Sequence, residues 1–140
     1  MQKRFIEYTE AEELQRLGFD EICFGYYRSV LGKPEVELII RQTPPRFYHL
    51  VAIPEHFDIL APTYSQAFEF FEEKFKLFPT LHVDQTMEPK FGYSIAEFFE
   101  DEGGFFDWKN IMSSYLYYTR QESKLECLRE LIKIAKNRKQ

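Results

Sequence analysis

The side chains of this 140-residue chain that could carry chemistry are three histidines, two cysteines and one dense acidic run. His56-Phe57-Asp58 and His82-Val83-Asp84 each set an imidazole and a carboxylate two residues apart, on one face of an extended segment. Together with His49 they could furnish ligands for a divalent metal, which needs three or four converging donors. Nothing in the spacing brings His49, His56 and His82 together, so a surface histidine with a local acid partner is the plainer reading. Cys23 lies beside Ile22 and Phe24, where burial raises a thiol's pKa. Cys127 falls well inside a helix, away from the N-terminal turn that would activate it. Both read as small buried hydrophobes rather than half of a Cys–His nucleophile. The run Glu97, Glu100, Asp101, Glu102, Asp107 lacks the ligand spacing of an EF-hand and reads as a solvated loop. Gly32-Lys33 and Gly103-Gly104 are not phosphate loops, since neither opens a helix with a closing Lys-Ser/Thr. No Gly-x-Ser-x-Gly, paired CxxC or kinase signature is present. The expectation is a protein that is not an enzyme, with no catalytic residue, cofactor or metal site.

The elements around these residues are clearer than the chemistry. Residues 62–78, PTYSQAFEFFEEKFKLF, form the strongest helical pattern. Thr63 and Gln66 make a capping box, and Ala67, Phe68, Phe70, Phe71, Phe75 and Phe78 give a wide apolar face opposite Glu69, Glu72, Glu73 and Lys76. A shorter helix is expected from Thr9, boxed by Glu12, with Leu14 and Leu17 inward and Gly18 as the left-handed stop. The last helix opens at Thr119, boxed by Glu122. It buries Leu125, Leu128, Leu131, Ile132 and Ala135, leaves Cys127 and Ile134 on the margin, and gathers Lys133, Lys136, Arg138 and Lys139 at its carboxyl end.

Between the helices, period-two alternation predicts strands at residues 22–29, 35–42, 47–53, 80–87, 91–98 and 111–118. Gly25 within the first marks a bulge or a close backbone approach. Residues 1–8 read as an added strand or an arm, 54–61 as a connection, 100–104 as a flexible acidic loop and 107–110 as a helical turn. The fold class is therefore α+β, mainly antiparallel, with three helices. It reads as one domain with an N-terminal sub-structure over about 9–53 and a C-terminal helix-strand-strand-strand-helix sub-structure over about 62–137. The middle and terminal helices are expected to shield a common pleated layer.

Composition narrows the setting. With 44% hydrophobic residues, 15 Phe, 9 Tyr and 1 Trp, the chain is not disordered, and its core rests on few, large side chains. The net charge of −5 is spread over both halves, which disfavours broad phosphate binding. Two unpaired cysteines point to a cytoplasmic protein with reduced thiols. The opening MQKRFIEYTEAEEL holds no long apolar run, so no signal peptide is expected, and no stretch is long and apolar enough to span a membrane.

Four stretches, LGFDEICFGYY (17–27), LAPTYSQAFEFFEEKFKLF (60–78), FGYSI (91–95) and ESKLECLRELI (122–132), together resemble a family of small proteins with no assigned activity. That family is encoded by phages, prophages and mobile elements of the Bacteroides group. The resemblance runs from Leu17 to about Ile134, departs from the family pattern over residues 100–106, and implies a context rather than a site.

Function is therefore expected from binding. Tyr26, Tyr27, Tyr48, Tyr115, Tyr117 and Tyr118 lie on predicted strands, where alternate rings face outward and could form a docking surface for a protein. The alternative is that the helices cover these rings and all are core. A second class is nucleic-acid binding, since helix–three strands–helix is the order of a double-stranded-RNA-binding fold. The start of the last helix, Arg120, Gln121, Glu122, Ser123 and Lys124, mixes an acid with two cations and fits that role poorly.

Overall fold

The computed structural model describes residues 4–21, 23–30, 35–40, 56–85, 90–117 and 119–139. It divides into two compact units, Met1–Ala67 and Phe68–Gln140. The boundary falls inside the middle helix, and each unit holds its own three-stranded antiparallel sheet. The common pleated layer expected from the sequence is thus two separate sheets. The α+β class with three helices and antiparallel pairing holds.

In the first unit α1 (Tyr8–Arg16) starts two residues earlier than a Thr9 cap would place it. Glu7 is the cap and makes no side-chain hydrogen bond, so the Thr9–Glu12 box is not formed. Glu12 is engaged instead on its own helix, accepting from Tyr8 Oη at 3.0 Å and pairing with Arg16 at 3.2 Å. The helix ends as its sequence requires. Gly18 has φ 100°, its N–H donates to Gln15 O, and Phe19 N–H reaches back to Leu14 O, each at 3.0 Å. This is a full Schellman closure, and only glycine adopts that backbone without a Cβ penalty.

The sheet of this unit runs β2 (Val36–Ile40), β1 (Gly25–Val30), β3 (His56–Ala61), with β1 in the centre and α1 against β3. The segment 54–61, read as a connection, is in large part this third strand. Its pairing with β1 sets Leu60 beside Tyr26 and Asp58 beside Arg28, which no local pattern reveals. The strand expected over 47–53 lies outside the described residues. Gly25 is a close-approach glycine: a Cβ there would stand 3.0 Å from the Phe5 ring and 3.3 Å from Ile39 O. The N-terminal arm is held by that ring, by Ile6 N–H donating to Pro62 O at 3.0 Å, and by Tyr27 Oη donating to Ile6 O at 2.6 Å.

The middle helix α2 (Tyr64–Phe75) opens on the expected box: Gln66 N–H donates to Thr63 Oγ1 at 3.3 Å, and Thr63 N–H donates to Gln66 Oε1 at 3.1 Å. Tyr64, Ala67, Phe70 and Phe71 are buried, while Glu69, Glu73 and Lys74 face water. The helix stops three residues short of Phe78, because Lys76 takes the left-handed conformation with φ 56°.

In the second unit β4 (Leu77–Asp84), β5 (Lys90–Glu100) and β6 (Phe106–Tyr117) pair in chain order, and α3 (Arg120–Lys139) crosses all three. The Thr119 hydroxyl accepts Glu122 N–H at 3.1 Å, the cap read from the sequence. Cys127, Leu128, Leu131, Ile132 and Ala135 are buried together with Tyr93 and Ile95 of β5. Cys127, expected at the margin, is fully enclosed, and Leu125 is the half-buried position.

Two further expectations are corrected here. Residues 107–110 are strand, paired with 96–99, and not a helical turn. The acidic segment 101–105 is the tight end of the β5–β6 hairpin. Asp101 Oδ1 accepts from Gly103 N–H and Phe105 N–H at 2.9 Å each, and Asp101 N–H donates to Phe105 O at 2.7 Å. Asp101 organises that reversal by bonding its own backbone neighbours.

Candidate functional site

The β5–β6 hairpin is the feature around which a site is built. β4 accompanies β5 only as far as the Leu77–Glu97 pair, so residues 98–100 and 106–108 continue as a two-stranded ribbon. Alternation sends Tyr93 and Ile95 toward α3 and Phe98 toward the opposite, open face. Trp108 lies directly across from Phe98, and Phe106 across from Glu100, so both β6 rings stand on that open face. Phe78 of β4 has the same parity and joins them.

These rings form one contiguous cluster. Trp108 meets Phe78 edge-on at 4.9 Å and Phe98 at 4.9 Å, while Phe98 and Phe106 stack at 5.2 Å with 11° between planes. The cluster is not core. Trp108 is 55% exposed, Phe106 64% and Phe105, at the hairpin end, 73%. Large rings left in water on one face of a sheet contribute little folding energy. Around them stand Glu100 on the same face, Asp101 and Glu102 in the turn and Asp107 on the reverse face, all exposed, with Lys109 the cation of that ribbon.

The remainder of the open face is polar: Thr80, His82, Ser94, Asn110 and Ser113. His82 Nε2 lies 2.7 Å from Ser94 Oγ, and Asn110 donates to Ser113 Oγ at 3.1 Å. An imidazole on a hydroxyl is half of a nucleophile–base arrangement. Its neighbour Asp84 is exposed two residues along the strand. The adjoining cleft, lined by Leu81, His82, Val83, Phe91, Arg120 and Ser123, encloses about 90 Å³, well below an ordinary ligand site.

The other sequence candidates fall as follows. Asp58 is taken by Arg28, whose guanidinium forks onto it at 2.8 and 3.0 Å. His49 and the side chain of His56 lie outside the described residues, and among the described residues no three metal-ligating side chains gather. Both thiols are buried, and burial pushes each up to about 12, helped at Cys23 by Glu21 and at Cys127 by Glu130. A thiol so placed is inert at neutral pH.

Of the tyrosines expected at a contact surface, Tyr26 is buried at 5% exposure beneath Arg28, whose guanidinium lies 5.2 Å from the ring. Tyr27 is half-buried and ties the N-terminal arm. Tyr117 is half-buried and stacks on Tyr93 at 6.0 Å. Burial, with Tyr117 beside it, holds the Tyr93 phenol well above its usual range. Tyr48, Tyr118 and the side chain of Tyr115 lie outside the described residues. Among the described residues the exposed rings are Phe24, Phe105, Phe106 and Trp108, and one local signal points to the last three. Phe105, Phe106 and Trp108 stand among Glu, Asp, Gly and Lys, a stretch with too few apolar neighbours to be core.

No model of a known protein family, no curated protein and no solved structure matches this chain.

Proposed function

We propose that the protein works by binding another protein through the open aromatic face of its β5–β6 hairpin, without catalysing a reaction. The observation that carries this reading is the ring cluster in which exposed Phe106 and Trp108 stand on half-buried Phe78 and Phe98, extended by exposed Phe105. Aromatic side chains with a polar rim are the composition of interaction hot spots. A nucleic-acid partner is disfavoured by charge, because Glu100, Asp101 and Glu102 would meet phosphate. Of the cations of α3, Arg120 lies over Phe91 at 5.8 Å, Arg129 pairs with Glu126 at 2.7 Å and Arg138 with Glu97 at 2.8 Å. The setting we propose, on the motif resemblance alone, is the cytoplasm of a cell carrying a phage, prophage or mobile element of the Bacteroides group.

A photo-cross-linking amino acid at position 106 tests this in the cell that makes the protein. The expected result is a discrete protein adduct that disappears when Phe98 and Trp108 are both changed to Ser. Adducts that survive those changes, or that nuclease digestion removes, would overturn the reading.

A further inference from the structure

We infer that the partner's contacting segment is basic, with an arginine laid on the Trp108 ring and further cations set against Glu100 and Glu102. The inference deepens the proposed function and rests on the hairpin face being a docking surface. Its support is charge complementarity. The ring faces of Trp108 and Phe106 carry negative quadrupole density and attract a cation, most strongly at Trp. Glu100 is the register partner of Phe106 and shares its face, so a guanidinium stacked there has a carboxylate one strand away. Over residues 98–109 four carboxylates stand against one cation, Lys109. One oxygen of Asp101 is engaged by the turn, and one of Asp107 by Trp108 N–H on the reverse face, which leaves Glu100 and Glu102 as the main acids of the rim. An acidic or purely apolar partner would leave these carboxylates repelled or desolvated without compensation. Arginine fits better than lysine, because its planar group stacks on a ring and forks onto a carboxylate together. This chain uses that pairing within its own fold: Arg28 lies over Tyr26 while forking onto Asp58.

Trp108 is the sole tryptophan of this 140-residue chain, so its emission reports on this face. The probes are ten-residue peptides of alternating Gly–Arg, Gly–Lys and Gly–Glu. The Gly–Arg peptide should change the emission saturably, Gly–Lys should bind about tenfold more weakly, and Gly–Glu should have no effect. Raising salt from about 50 to about 300 mM should weaken the Gly–Arg complex. The double variant Glu100→Gln, Glu102→Gln should bind about tenfold more weakly with an unchanged circular dichroism spectrum. A dye-labelled Gly–Arg peptide should also lose affinity for Phe106→Ser.

A silent Gly–Arg peptide, equal response to Gly–Glu, or indifference to the double variant overturns the inference. So does sedimentation showing a dimer that Trp108→Ser dissolves, since a second copy would then own the face. If ring-dependent photo-adducts form while Gly–Arg is silent, the docking surface stands and the basic partner falls. If the adducts do not depend on the rings, the docking surface falls as well.

Discussion

The hydroxyl of Ser123, fully buried in the first turn of α3, donates to the carbonyl of Gly92 in the central strand β5 at 2.8 Å. Gly92 falls at the register shift between Phe91 and Tyr93, where β6 bulges and gives it no partner. The irregularity on one side of the strand thus leaves a carbonyl for the helix on the other. Removing the donor leaves that oxygen to be buried with one bond fewer. Ser123→Ala should cost about 1–2 kcal/mol. A urea transition with a lowered midpoint and unchanged slope would show it; no change in midpoint would mean the bond contributes nothing.

Gly25 and Phe5 form a second such contact, this time in the first unit. A Cβ on residue 25 would sit 3.0 Å from Phe5 Cε1 and 3.3 Å from a backbone oxygen. The ring is itself buried and has little room to retreat. Gly25→Ala should destabilise by about 1–3 kcal/mol through overpacking. Combining it with Phe5→Leu should cost less than the sum of the two single changes, which a double-mutant cycle measures.

Lys76 holds φ 56° between α2 and β4, and its carbonyl accepts Phe98 N–H at 3.1 Å. A side chain in that conformation costs roughly 1–2 kcal/mol, and glycine's extra chain entropy offsets about half of it. Lys76→Gly should therefore raise stability by about 0.5–1 kcal/mol. Lys76→Val should lower the melting temperature, because a β-branched residue tolerates the left-handed region least. The same order of stability for the two variants would contradict the account.

Glu72 on α2 is raised above its ordinary value of 4.5 by burial first, then by Glu69 and Glu73. The folded chain thus favours its protonated form. That contribution is present below pH 4.5 and is lost as pH rises through the folded value. At pH 7 the charge works against the fold. Glu72→Gln should melt slightly higher than the parent at pH 7, and the difference should vanish near pH 3. Scanning calorimetry at the two pH values checks both the sign and the window.

Local chemistry accounts for what was legible in the residues alone. The Thr63 and Thr119 caps, the Gly18 stop and the buried stripe of α3 each depend on residues within about two turns of one another. Such features survive whatever the rest of the chain does. The missing Thr9 cap fails for an equally local reason, since Glu12 is shared between Tyr8 and Arg16.

Other features were decided only when the strands paired. Residues 56–61 became a strand because β1 offered them partners, and 106–108 because β5 continued beyond β4. The placement of every ring on a sheet depends on register, and a one-residue slip would turn Trp108 from the open face to the helix side. Phe78 and Trp108 are thirty residues apart in the chain, and only the β4–β5–β6 ladder makes them neighbours. Aromatic content was therefore readable from composition. Which rings meet water was settled by long-range pairing.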